Sequence, residues 1–260
     1  MVKEKHFLNE MNWKEAEEAF KKTTVAVLPV GCLHAHGDAL LGIDNITIEE
    51  ISKRIAVKTN AILCPTIPYG PAAALMDFPG TIHVNREILR DMLLDICRSL
   101  NKWGIRKIIF LNGHGGNDVT IRDVGSKLRE ERGMIGVLVD WWNLIMELDS
   151  KFKDKPSYIT EPAISAAMGL LDIMKARVRT WKEETFLGNK FSGEGYTFKF
   201  RKGSIVIVGL TGKEVTKPPE EGEILGPKAS ADVGREILDI IANYIVDLIK
   251  EFEKIEVPSM

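Results

Sequence analysis

At 260 residues the chain is long enough to bury a full core without disulfides or a structural metal. Apolar residues at 45% and charged residues at 28% exclude a disordered, collagen-like or coiled-coil chain, and a net charge of −2 lacks the basic excess of a dedicated nucleic-acid binder. Cys32, Cys64 and Cys97 are odd in number and widely spaced, so no disulfide framework is expected and a reducing, cytoplasmic setting fits. No apolar run reaches the roughly 18 residues of a membrane span, and the charged first residues carry no secretory leader. A cytoplasmic protein with a small-molecule partner, and neither nucleic acid nor membrane, is the expectation.

Short apolar runs alternate with helical patterns along the chain. Residues 24–30 form a β-branched run that stops at Gly31, and a helix is predicted over 46–59 with Asn45 as its cap. A second run covers 61–67 and ends at Pro68. Residues 86–103 place Ile88, Leu89, Met92, Leu93, Ile96 and Leu100 at helical spacing before Gly104. A third run at 107–111 precedes a polar helix over 118–132, and a fourth at 134–139 ends beside Trp141 and Trp142. An Ala-rich helix is predicted over 161–175, a fifth run at 204–208, and a long helix with a wide apolar stripe over 231–253. Runs this short and apolar suit strands buried on both faces. The alternation predicts a single α/β domain over 1–260, with a mainly parallel sheet and helices on both faces. Residues 211–226 read as a surface loop, and 186–201 as a hairpin or a substrate loop.

Three of the five histidines lie just beyond predicted strands. His34 and His36 sit in Gly31-Cys32-Leu33-His34-Ala35-His36-Gly37, and His114 in Asn112-Gly113-His114-Gly115-Gly116-Asn117. Ligands of parallel sheets bind beyond the carboxyl ends of the strands. Two residues apart in extended backbone, His34 and His36 turn their rings to one side. Asp44 follows, placed by the predicted elements at the end of the same loop. Three imidazoles and a carboxylate make a sensible shell for Zn²⁺, Mn²⁺ or Fe²⁺. The glycine-rich stretch is no dinucleotide loop, because Asp118 stands where the third glycine would fall. Cys32 reads as a small packed residue rather than a nucleophile, His83 as a loop or contact residue, and His6 carries no role. Trp141 and Trp142 read as core packing or a pocket wall.

Several segments together resemble one family. They are Leu28-Pro29-Val30-Gly31, the x-H-G around His36, Asp44, Asp77-Phe78-Pro79-Gly80-Thr81, Leu111 to Asn117, and Gly226-Pro227-Lys228-Ala229-Ser230 before an Arg-bearing helix. In this order, over about residues 24–250, they resemble the creatininase (creatinine amidohydrolase) family. The resemblance implies a three-layer α/β/α sandwich, one or two divalent ions (Zn or Mn, with Fe as a further candidate) at the strand ends, and a homo-oligomer such as a hexamer built as a trimer of dimers. It implies His36, Asp44 and His114 as metal ligands, with Asp44 bridging where two ions bind.

The chain departs from the family pattern in places. His34 stands where the family usually has Glu, putting a neutral ligand in place of an anion. Gly116 stands where creatininase has a carboxylate. Of the family's H-A-G-E-x-E-T-S, seen here as Tyr158 to Ser165, only Glu161 and Ser165 remain. Glu161 is a candidate ligand or base, set against the alternative of a helix-terminal carboxylate favoured by the dipole. Glu161, Asp38 and, more weakly, Tyr158 are the candidates for proton transfer. The expected activity is metal-assisted hydrolysis of an amide-type C–N bond in a small polar, cyclic substrate other than creatinine. Hydrolytic C–C opening of a cyclic keto-polyol such as 3-dehydro-scyllo-inosose is the alternative chemistry, and a weakly active metal-binding paralogue the alternative class.

Overall fold

The computed structural model describes residues 6–153, 157–172, 177–178, 182, 191–194, 197–200, 202–217, 223–224 and 229–258. In chain order these form α1 (Trp13–Phe20), β1 (Val25–Val30), α2 (Ile43–Ala56), β2 (Ile62–Leu63), α3 (Arg86–Lys102), β3 (Lys107–Asn112), α4 (Asp118–Arg132), β4 (Ile135–Asp140), α5 (Trp141–Leu148), α6 (Ser157–Ala167), β5 (Arg177–Val178), β6 (Phe191–Glu194), β7 (Thr197–Phe200), β8 (Gly203–Val206), α7 (Gly212–Val215), β9 (Glu223–Ile224) and α8 (Ala231–Lys254). No helix among the described residues is long and apolar enough to cross a membrane.

The central sheet is parallel, in the order β2-β1-β3-β4. Side chains of a strand alternate between faces, and β1 shows it directly. Val25 and Val27 pack with Ile48, Ile51 and Ile55 of α2 and with Ile237, Ile241 and Ile245 of α8. Ala26, Leu28 and Val30 pack instead with Leu89, Leu93 and Cys97 of α3 and with Ile121, Val124 and Leu128 of α4. Two cores on opposite faces of one sheet make three layers. Each fully buried Leu or Ile contributes about 1.5–3 kcal/mol, so both faces are needed to hold the sheet. The register aligns Val30, Asn112 and Asp140 at one edge, so the segments leaving β1, β3 and β4 start side by side.

Four expectations change. Residues 204–208 are not a buried strand of this sheet. β8 pairs antiparallel with β7 in a separate three-stranded sheet, and all its side chains are exposed. A short apolar run does not say which surface it meets. The helix expected over 46–59 begins at Ile43, and Asn45 does not cap it. The Asn45 side chain donates to the Pro68 carbonyl instead, and Asp44 lies in the first turn, where the helix dipole favours a carboxylate. The helix expected from 161 begins at Ser157, which puts Glu161 in its interior. Trp141 and Trp142 open α5, with Trp141 fully buried. The segment 211–226 is not all loop, since α7 buries Gly212 and Val215 and β9 pairs with β5. β6 and β7 pair antiparallel, in line with the hairpin alternative, while 186–190, 195–196 and the Gly226-Pro227-Lys228 motif lie outside the described residues.

Candidate metal centre

The edge defined by Val30 and Asn112 brings together residues distant in sequence. His34 and His36 leave β1, His114 leaves β3, Asp44 rises from α2 and Glu161 from α6. The Asp44 carboxylate is buried at their middle. Its Oδ2 lies 3.0 Å from His34 Nε2 and 3.3 Å from His114 Nδ1, and its Oδ1 lies 3.1 Å from His36 Nε2. Glu161 Oε2 lies 3.7 Å from His36 Nε2. The donor atoms form two overlapping groups, Cys32-His34-Asp44-His114 and His36-Asp44-Glu161, and Asp44 belongs to both.

The outer ring nitrogens fix the tautomers. His34 Nδ1 lies 3.1 Å from the Ala35 carbonyl, His36 Nδ1 3.0 Å from the His34 carbonyl, and His114 Nε2 2.9 Å from the Pro71 carbonyl. A carbonyl only accepts, so each outer nitrogen carries the proton and donates. On a neutral ring that assignment turns the other nitrogen's lone pair inward, and His34 Nε2, His36 Nε2 and His114 Nδ1 all face the Asp44 anion. His34 Nε2 and His114 Nδ1 face each other at 2.9 Å, and buried Asp44 Oδ2 accepts no hydrogen bond. Lone pairs converging on a carboxylate repel unless a cation lies among them, so this set fits a divalent ion. Backbone carbonyls holding the outer N–H groups are the support that metal-ligating histidines require.

The titration behaviour points the same way. Burial pushes His34 down to about 4, only partly opposed by Asp44, so it is neutral. Burial also works against charge on His36, but Asp44 and Glu161 outweigh it and lift His36 to about 9. A proton there does what a metal ion would do. Burial opposes ionisation of Asp44 too, yet the charge of His36 beside it holds it well below the usual carboxylate range. Desolvation and the Asp44 charge push Cys32 up to about 12, which leaves it a neutral thiol and no nucleophile at neutral pH.

Other candidates fall elsewhere. Asp38 is exposed, and its carboxylate accepts from the Arg177 backbone N–H at 2.8 Å, outside the cluster. Tyr158 lies on α6, its side chain outside the described residues. Trp142 lies beside Gly115, 3.9 Å from where a Cβ there would sit.

Two supports were not evident in the sequence reading. Gly116 packs so tightly that a Cβ would sit 2.3 Å from the Pro71 carbonyl oxygen and 2.4 Å from His114 Nε2, so a side chain there breaks the contact that orients His114. His83 holds the same loop from the other side. Its Nδ1 accepts from Ala72 N–H at 3.0 Å, and its Nε2 donates to Asn85 Oδ1 at 3.1 Å. His83→Ala is therefore expected to weaken metal binding by about tenfold to a hundredfold, the usual range for a residue that orients a ligand. His83→Asn, which keeps an acceptor near the Nδ1 position, should recover part of the loss. Chelator competition measures both, and unchanged affinity in His83→Ala would remove this role.

A carboxyl pair lies behind the His114 loop. Asn112 Nδ2 donates to Asp118 at 2.8 Å and to Asp140 at 2.9 Å, and Asn112 Oδ1 accepts from His114 N–H. Desolvation, together with the charge of Asp140 and a hydrogen bond to it, raises Asp118 to about 6. Unfolded Asp titrates near 3.9, so the folded state binds this proton more tightly. That contribution to stability is complete below about pH 4 and is lost as pH rises through 6. Asp118→Asn is expected to raise Tm by about 2–4 °C at pH 7.5, about 1 kcal/mol after discounting for solvent screening, and not at pH 4. A gain equal at both pH values, read by thermal melts, would remove the carboxyl pair as its cause.

Sheet and side chains define a class: a three-layer α/β protein with a carboxylate-centred histidine cluster, able to hold divalent metal, at the carboxyl edge of its parallel strands. The creatininase family profile, described as creatinine amidohydrolase, matches residues 9–163. This chain belongs to the creatininase family. It is 29% identical over 154 residues to creatinine amidohydrolase of Pseudomonas putida, covering 54% of this chain and 59% of that protein. It is 32% identical over 115 residues to a mycofactocin precursor peptide peptidase of Mycobacterium ulcerans, covering 40% and 46%. It is 28% identical over 153 residues to 3-dehydro-scyllo-inosose hydrolase of Thermotoga maritima, covering 57% and 48%. The chain thus spans about half the length of the curated relatives it matches. A creatininase mutant complexed with creatine shares the fold at TM-score 0.75 and 22% identity, with 97% of this chain and 100% of that one covered.

Proposed function

We propose that this protein is a divalent-metal-dependent hydrolase that cleaves an amide-type C–N bond in a small polar substrate. Its ions are Zn or Mn, the metals named for solved creatininase structures. The observation that carries the reading is the convergence of three imidazole nitrogens on Asp44 at 3.0–3.3 Å, with Glu161 beyond His36. His34, Asp44 and His114 would hold one ion, and His36, Asp44 and Glu161 would hold a second. When bound, such ions supply Lewis acidity, bringing water's ionisation toward neutral pH and polarising the scissile carbonyl.

The chain's own groups do the rest. Asp44 anchors both halves. The carbonyls of Ala35, His34 and Pro71 keep the rings aimed inward, so little reorganisation is needed during reaction. Overall, a water oxygen bonds to the carbonyl carbon, the C–N bond breaks, and a proton passes from water to the leaving nitrogen. Glu161 is the carboxylate best placed to carry that proton, and exposed Asp38 stands further off. Gly116 leaves no room for a carboxylate at the position where creatininase has one, and Glu161 of α6 is the carboxylate that joins Asp44 at the cluster.

Glu161→Gln tests this assignment. Bound metal should fall from two ions per chain to one, and turnover of amide substrates by about a hundredfold or more. Elemental analysis beside a substrate screen reads both. Two ions retained at full turnover would refute the role of Glu161, and wild type that takes up no metal would refute the hydrolase reading itself. The Thermotoga relative favours a second reading, C–C ring opening of a keto-polyol, and turnover of that substrate class in preference to amides would establish it.

A further inference from the structure

Beside the metal cluster lies a cavity of about 640 Å³, the size of small-molecule sites. His114 and Gly116 form one part of its wall. Ala72 to Leu75 and Leu210 form an apolar part, His83, Asn85, Arg86 and Glu87 form another at the start of α3, and Pro71, Gly209 and Thr211 complete the wall. A group in this cavity therefore sits next to a metal-holding histidine.

The polar groups of the wall sort themselves by what they have left to give. Both His83 nitrogens are engaged, on Ala72 N–H and on Asn85 Oδ1. The acceptor of the Asn85 side chain is used by His83, which leaves its NH₂ donors. Arg90, one turn along α3, pairs with Asp91, and the Glu87 carboxylate stays exposed on the wall. Arg86 makes no ion pair or hydrogen bond with any described residue. Its position is also locally unfavourable, because a cation in the first turn of a helix opposes the macrodipole. An exposed helix start that needed only solubility would more readily carry Asp, Glu or Ser. On this wall the Arg86 guanidinium is a cation that no described residue answers, with the Asn85 NH₂ donors next to it in the chain and, besides the histidines, Glu87 and Thr211 as the other polar side chains.

We propose that Arg86 is a specificity residue that binds an anionic oxygen group, a carboxylate or phosphate, on the part of the substrate remote from the scissile bond. The inference deepens the hydrolase reading and rests on it: the metal cluster takes the amide, the apolar wall takes the linking carbons, and Arg86 takes the anion in a charge-assisted, bidentate contact. It selects against neutral cyclic amides and neutral polyols, which leave the guanidinium unanswered.

The test uses metal-loaded protein as wild type, Arg86→Ala and Arg86→Lys, each with its metal content measured. Isothermal titration calorimetry follows succinamate, which carries both an amide and a carboxylate, its neutral counterpart succinamide, and inorganic phosphate. Succinamate should bind wild type about tenfold or more tighter than succinamide. Arg86→Ala should abolish that preference at unchanged metal content, and Arg86→Lys should keep part of it. Phosphate bound in an Arg86-dependent way, with succinamate weak, would support the anion site and identify phosphate as its source. Succinamate bound equally by wild type and Arg86→Ala would mean that the carboxylate merely ligates metal, and would overturn the proposal. So would the absence of any preference in wild type. Because the readout is binding, loss of turnover alone would count against the hydrolase reading and not against Arg86.

Discussion

Asp44→Ala is expected to empty both halves of the metal centre at once. Each histidine belongs to one candidate ligand group, whereas Asp44 belongs to both, and its two oxygens face three imidazoles at 3.0–3.3 Å. Without it, the first group keeps only neutral ligands and the second only Glu161 as an anion, which is electrostatically poor for buried dications. Bound metal should fall to less than about a tenth of the wild-type level, and turnover by at least about a thousandfold. The fold should survive. His34 is already neutral, and His36, relieved of a facing anion, is held charged less strongly. Asp44→Asn keeps the volume without the charge and should lose metal in the same way. If either variant bound metal at wild-type stoichiometry with its fold intact, Asp44 would not be the bridging group.

Gly234→Ala is expected to destabilise the protein although helix propensity says the opposite. Alanine is favoured over glycine by about 1 kcal/mol in a helix interior. But Gly234 sits where α8 crosses α6, and a Cβ there would lie 2.1 Å from the Ala163 carbonyl oxygen, 2.5 Å from its carbon and 2.8 Å from Ile164 N. These are backbone atoms of a buried helix, with no flexible side-chain end to swing away. Overpacking of this kind costs about 1–3 kcal/mol, which for a chain of this size lowers Tm by about 2–10 °C. The site should also feel it, because α6 carries Glu161 two residues before Ala163. A thermal melt with metal titration should show lower Tm and weaker uptake of the ion that Glu161 holds, with the other ion little affected. A Tm at or above wild type would mean that the two helices can move apart freely.

The residues of the candidate metal cluster were legible from the sequence because their chemistry is carried by rare residues at meaningful places. Three of five histidines followed apolar runs that could only be strand ends, and H-x-H spacing in extended backbone orients two rings together whatever the rest of the fold does. The stops of α3 and α4 were equally local, at Gly104 and at Gly133, which takes the left-handed conformation (φ 63°). Helix starts were less legible. α2 begins on Gly42 without a side-chain cap, so nothing local marked Ile43, and Asp44 read as loop.

The sequence by itself therefore determined the layer order of the fold and which residues could bind a metal, since alternation, helical period and ligand chemistry are properties of short segments. Only the tertiary structure decided how those residues act together. That Asp44 joins two groups, that Glu161 reaches His36 from a helix more than a hundred residues further along the chain, and that Gly116 and Gly234 exclude even a methyl group are facts of approach between distant backbones. The fate of residues 204–208 has the same cause. An apolar run states that a segment can be buried, but only its neighbours in space decide whether it is.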